Sequence, residues 1–142
     1  MLKVQNLGYR VGERWLLRGV DLAVGEGEFL AVLGPNGSGK TTLLNLLCGF
    51  YQPSSGVIHL GEQDLSQASV QMRAVNGIAR TFQKPRLMPM LSVLDNCMLG
   101  AWIHADAGFM STALALPHVG AQELDIQARA IELLHGVGLG HV

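Results

Sequence analysis

The chain has 142 residues, a normal size for one domain or part of one, and long enough to bury most of its apolar surface on folding. Hydrophobic residues make up 49% and charged residues 15%, with a mean hydropathy of +0.28, which excludes a disordered chain and leaves apolar surface for a partner to cover. A formal net charge of -1 and a pI near 6.5 carry no electrostatic footprint for nucleic acid, and no basic run points to anionic lipid.

In chain order, the first ten residues lack the continuous apolar stretch of a signal peptide, and no window is long and apolar enough to span a bilayer, so any membrane contact is expected to be peripheral. Residues 2 to 7 and 20 to 24 read as short β runs. The glycine-rich turn at 25 to 28 leads into "FLAVLG" at 29 to 34, expected as a buried central strand. A helix is expected from Lys40, with Leu43, Leu46 and Leu47 on one face and Gly49 as its stop. After a loop bracketed by Pro53 and Gly56 come a strand at 57 to 60, a turn at Gly61-Glu62, a short helix around 67 to 74, and a strand "GIARTF" ending at Phe82.

Ser92 with Asp95 three residues on forms a capping-box pattern that starts a helix over about 93 to 103. Residues 104 to 120 read as an irregular connection. A last helix from Ala121 is expected to bury Leu124, Ala128, Ile131 and Leu134 before the glycine-rich end. The two cysteines, Cys48 and Cys97, have no metal-ligand spacing and read as reduced core residues of a cytosolic protein. The five histidines are likewise scattered.

"GPNGSGKT", Gly34 to Thr41, has the spacing of a phosphate-binding loop, and it follows an apolar run and opens a helix. Gly34, Gly37 and Gly39 let the backbone wrap a phosphate, with Pro35, Asn36, Ser38 and Thr42 completing the cradle. Helix N-terminal amides favour the anion, Lys40 reaches the outer phosphates, and Thr41 is placed to ligate Mg²⁺. ATP or GTP binding follows; a glycine-rich turn that binds nothing is the bland alternative.

The stretch from "VLGPNGSGKTTLLNLLCGFYQPSSGVIHLGEQDL" through "GIARTFQKPRLMPMLSVLDN" resembles the ATP-binding subunits of ABC transporters. "GIARTFQ" followed by "RLMPMLSVLDN" is similar to the branch that imports branched-chain amino acids, with urea and amide importers close by. The resemblance implies an α/β P-loop NTPase (RecA-like) core with an antiparallel β element and the beginning of a helical subdomain. It divides the chain at about residue 90 and implies ATP and Mg²⁺ as ligands. It also assigns Gln83 as the Q-loop residue near Mg²⁺ and the attacking water, a role that suits a neutral amide.

In the family a second ATP-binding subunit, identical or not, completes the nucleotide sandwich. Membrane-spanning permease subunits dock near the Q-loop, so the expected location is the cytoplasmic face of the membrane, without insertion. Exposed Leu87, Met88, Met90 and Leu91 would suit that docking surface. The family's adenine-stacking aromatic precedes a glycine; here Val11 precedes Gly12, so Tyr9 is the substitute on the same strand face and Trp15 a weaker one.

The family's LSGGQ-type signature and its apolar run ending in Asp-Glu are absent. "MLSVLDN" is the nearest imitation, but Ser92 interrupts it and Asn96 stands where the glutamate belongs, so it reads as a helix start. The chain is therefore read as the N-terminal part of such an ATPase, expected by itself to bind MgATP weakly, to hydrolyse it negligibly and to aggregate. Two rivals remain: a non-catalytic nucleotide-binding fragment and a small-molecule P-loop kinase, which would need an acceptor site and lid arginines.

Overall fold

The computed structural model describes residues 1–82, 87–101 and 117–140. The chain divides into two compact units, Met1–Thr81 and Phe82–Val142. In the first unit, β1 (Leu2–Val11) and β2 (Arg14–Val24) form a long antiparallel hairpin closed at Gly12-Glu13. Both strands run further than the sequence reading expected, because residues 9 to 17, a mixture of polar and apolar side chains, still pair backbone to backbone across the hairpin. After α1 (Lys40–Leu47), β3 (Ser55–Leu60) joins the other side of β1 and β4 (Gln63–Asp64) pairs with β3. The sheet order is β2-β1-β3-β4, antiparallel throughout.

The core of this unit joins Val4 and Leu7 of β1, Ile58 of β3, and Leu43 and Leu46 of α1. Val4 and Leu7 are three apart, so strict alternation would send them to opposite faces. A register shift between them resolves this: Asn6 takes a left-handed φ of 49° and its N–H is held by Asp21 Oδ1 at 2.7 Å. The bulge turns Leu7 inward. The last short helix of the unit, α2 (Val70–Val75), is capped by Ser69, whose Oγ accepts from Met72 N at 3.2 Å.

Two expected strands differ. Residues 29 to 33 pair with no other described strand, and Phe29 and Leu33 are 91% and 90% exposed, so they form no buried central strand here. "GIARTF" at 77 to 82 likewise forms no strand, and Phe82 is exposed. An apolar run becomes a buried strand only where other strands bond to both its edges, and the described residues supply none.

In the second unit, α3 (Val93–Ala101) packs on α4 (Pro117–Gly136). The capping box is present: Asp95 N donates to Ser92 Oγ at 3.0 Å, and Asp95 Oδ2 accepts from Ser92 N at 3.3 Å. Asn96 lies on a helix, as the reading of "MLSVLDN" requires, and its side chain binds Met88 N, Met88 O and Leu91 O, fixing the turn before α3. On α4 the buried stripe is Ile126, Ala130 and Leu134. Leu124, Ala128 and Ile131 are exposed, which corrects three of the four expected core positions. Both stripes have helical spacing, and packing against α3 selects one. Cys48 is buried and Cys97 half-buried, and both are free thiols.

Candidate functional site

The phosphate loop lies between the exposed run 29 to 33 and α1. Gly39 is the N-cap of α1 in a left-handed conformation (φ 92°), and no side chain caps the helix. The first helical bond runs from Leu43 N to Gly39 O at 2.8 Å. A helix start with no capping side chain and no acidic residue in its first turn keeps its positive end available to an anion. Gly39 is pressed against β2, where a Cβ would stand 2.9 Å from Leu17 Cδ1 and 3.3 Å from Leu16 O.

Lys40 Nζ folds back across the loop and donates to Gly34 O at 2.6 Å and Pro35 O at 2.7 Å. Ser38 N closes the loop on Pro35 O at 3.3 Å. Beside this loop lies an open cleft of about 240 Å³, lined by Leu16, Asn36, Gly37, Gly39, Lys40, Thr41 and Thr42. The donors facing it are one ammonium, two threonine hydroxyls and the amides of a helix start, a set suited to phosphate oxygens. Thr41 is exposed, so its hydroxyl is accessible to a metal held by those phosphates. No cluster of His, Cys, Asp and Glu suited to a metal occurs among the described residues.

Gln83, with Lys84 and Arg86, lies outside the described residues. Tyr9 stacks on Tyr51, ring centroids 4.9 Å apart and 6° from parallel. One face of Tyr9 is thus taken, and the β2 residue that lines the phosphate cleft is Leu16, which the sequence pattern did not single out. Trp15 lies over Gly8, with the Arg10 and Arg18 guanidiniums 5.9 and 5.6 Å from its ring. Leu87, Met88, Met90 and Leu91 are all exposed, Met90 by 95%.

Two arginines contact α1. Arg80 donates to Asn45 Oδ1 at 2.6 Å and stacks on Phe50 at 5.7 Å. Arg73, fully buried, reaches carbonyls at the end of the helix. A charged residue inside a short apolar helix was the only sequence signal for it. Burial lowers the pKa of its guanidinium, partly opposed by Cys48 and Asp64.

Asp64 supports this region through Ser66, accepting from Ser66 N at 2.8 Å and Ser66 Oγ at 2.5 Å. Those two bonds, the side-chain one first, hold its carboxyl below the usual range. A depressed folded-state pKa stabilises the protein above the unfolded value of about 4 and loses that contribution as pH falls through the folded value. Acid titration of the thermal midpoint should therefore fall less steeply below about pH 4 in Asp64→Asn than in the wild type; parallel curves would show that the Ser66 bonds do not persist in solution.

The ABC transporter family matches residues 17–142. The high-affinity branched-chain amino acid transport ATP-binding protein BraF of Pseudomonas aeruginosa is 32% identical over 139 residues, 98% of this chain and 54% of BraF. The aliphatic sulfonates import ATP-binding protein SsuB 1 of Rhizobium johnstonii is 45% identical over 99 residues, 70% of this chain and 34% of SsuB 1. The chain thus spans about half the length of BraF. The solved ADP conformation of MJ1267, an ATP-binding cassette of an ABC transporter, matches with a TM-score of 0.77 at 28% identity, covering 99% of this chain and 55% of that one. With its phosphate loop opening α1 beside an antiparallel sheet, the chain belongs to the ABC transporter family.

Proposed function

We propose that the protein is the ATP-binding subunit of an ABC importer, binding MgATP at Gly34 to Thr42 and coupling its hydrolysis to transport. The observation that carries the reading is Lys40 Nζ, held by Gly34 O and Pro35 O at the rim of a cleft walled by Thr41, Thr42 and the uncapped start of α1. An ammonium parked on two carbonyls is already positioned, and it needs only to exchange them for stronger charged acceptors when a polyphosphate enters. The cleft fits the phosphates, with Gly37, Ser38 and Gly39 giving amides and Lys40 giving charge. Mg²⁺, when bound, neutralises part of the phosphate charge, with Thr41 and Gln83 as its proposed protein ligands. Gln83 would also orient the water.

Tyr51 covers one face of Tyr9, so a purine can stack only on the other face of that ring. The proposed cargo is a branched-chain amino acid, supported by the match to BraF over 98% of this chain; the match to SsuB 1 makes a sulfonate the competing cargo. The proposed partners are a second ATP-binding subunit and permease subunits docked on the exposed Leu87 to Leu91 turn. Accordingly the protein would work at the cytoplasmic face of the membrane. No helix among the described residues is long and apolar enough to cross a membrane.

Calorimetric titration with MgATP and MgADP tests the nucleotide site. Binding is expected in the wild type and should weaken about 10- to 150-fold in Lys40→Ala, the equivalent of one charge-assisted hydrogen bond of about 1.5–3 kcal/mol. Equal affinities in the two proteins would remove the phosphate loop as the site.

A further inference from the structure

We propose that Arg73 is a positioning residue for the phosphate loop: its guanidinium anchors the C-terminal end of α1, so that the opposite end is preset to receive phosphate. The inference rests on the nucleotide reading of Gly34 to Thr42 and extends it to a residue outside the cleft.

Arg73 is 0% exposed, and its donors go to main-chain carbonyls. Its Nη1 bonds Leu46 O and also Leu47 O at 2.9 Å, Nη2 bonds Ser66 O at 3.0 Å, and Nε bonds Ala68 O at 3.1 Å. A cation taken out of water is tolerable only where hydrogen bonds replace its hydration. Here two of the four acceptors belong to the last turn of α1, where carbonyls lack helical partners and carry the negative end of the dipole. Gly49 follows the helix with a φ of 83° and gives the arginine room, since a Cβ there would stand 3.1 Å from its Cδ and Nε.

The anchor continues into the sheet. Ser66, whose carbonyl Arg73 holds, accepts from Ile58 N through its Oγ at 2.9 Å and is braced by Asp64. A polar chain thus runs from β3 through Ser66 and Arg73 to the end of α1, beside the apolar contacts of Leu43 and Leu46. With eight residues α1 is only about 12 Å long. So short a helix moves as one rod, and a shift at Leu47 displaces Lys40, Thr41 and Thr42. Holding these groups in place before the ligand arrives lowers the ordering cost of binding.

A purely structural arginine would change stability and leave the affinity of the folded fraction alone. The test measures Kd and stoichiometry for MgADP by calorimetry, at a temperature where circular dichroism shows each protein folded, in the wild type, Lys40→Ala and Arg73→Lys. Lysine keeps the charge but loses the fork that spans α1, Ser66 and Ala68. Arg73→Lys is expected to bind at full stoichiometry with Kd raised about 10-fold, equivalent to about 1.4 kcal/mol. Unchanged Kd with a lowered thermal midpoint overturns the positioning role while leaving the nucleotide site standing. Wild-type protein that binds no MgADP, or binds it independently of Lys40, overturns both.

Should Arg73→Lys fail to fold, Gly49→Ala decides the matter, because it leaves the arginine in place and pushes on its Cδ and Nε. A rise in Kd of about 3-fold in folded Gly49→Ala supports the role, and wild-type Kd overturns it.

Discussion

Gly39→Val is expected to abolish measurable nucleotide binding and to lower the thermal midpoint. Position 39 has a φ of 92°, and a β-branched residue is a genuine outlier there. The left-handed conformation alone costs about 1–2 kcal/mol for a residue with a Cβ. Sterics add to it, since the new Cβ would meet Leu17 Cδ1 at 2.9 Å and the Leu16 carbonyl at 3.3 Å, and β2 backbone does not yield as a side-chain tip does. The loop relieves the clash by moving away from β2, which takes the amides of the helix start out of register with the phosphates.

Gly37→Ala is the informative comparison. Its φ of 83° imposes the same backbone penalty, but no atom lies within 4 Å of the added methyl. A loss of roughly 10-fold in affinity follows from about 1–2 kcal/mol of strain. Equal effects from the two substitutions, measured by MgADP titration and thermal melting, would show that the contact between Gly39 and β2 is not what shapes the loop.

Leu46→Ala should cost about 2–5 kcal/mol of unfolding free energy. Leu46 is 0% exposed and meets Val4, Leu7, Leu43 and Ile58 where α1 crosses the sheet. Truncation removes buried apolar area and leaves a cavity that β1 and β3, bonded to each other, can close only in part. Leu44 is on the same helix but 44% exposed, so Leu44→Ala should cost under about 1 kcal/mol. Urea melts distinguish the two. Similar midpoints would mean that α1 does not seat on the sheet through Leu46.

Local chemistry made several features readable in advance. The phosphate loop is one, because its glycines, lysine and threonine act at fixed offsets along one backbone, and the turn they demand is written in consecutive residues. Ser92 and Asp95 are another, since a capping box joins atoms three residues apart and both bonds form as the pattern predicts. The start of α1 at Lys40 and the strand ending at Leu60 follow from the same short-range rules.

What failed in the sequence reading depended on partners far along the chain. "FLAVLG" and "GIARTF" have the composition of buried strands, yet a strand exists only where another edge bonds to it, and composition does not name the edge. The stripe on α4 was misplaced because Leu124, Ala128 and Ile131 are at helical spacing just as Ile126, Ala130 and Leu134 are, and only packing on α3 separates them. Arg73 was an unremarkable arginine in the sequence, and burial among four carbonyls from two separate segments made it structural. By itself, the sequence determined the chemistry of the phosphate loop, because that depends on neighbours along the backbone. Tertiary structure alone decided which wall the loop leans on and what holds the far end of its helix, since those contacts join residues about 20 or more positions apart, which loop closure brings together only in the folded chain.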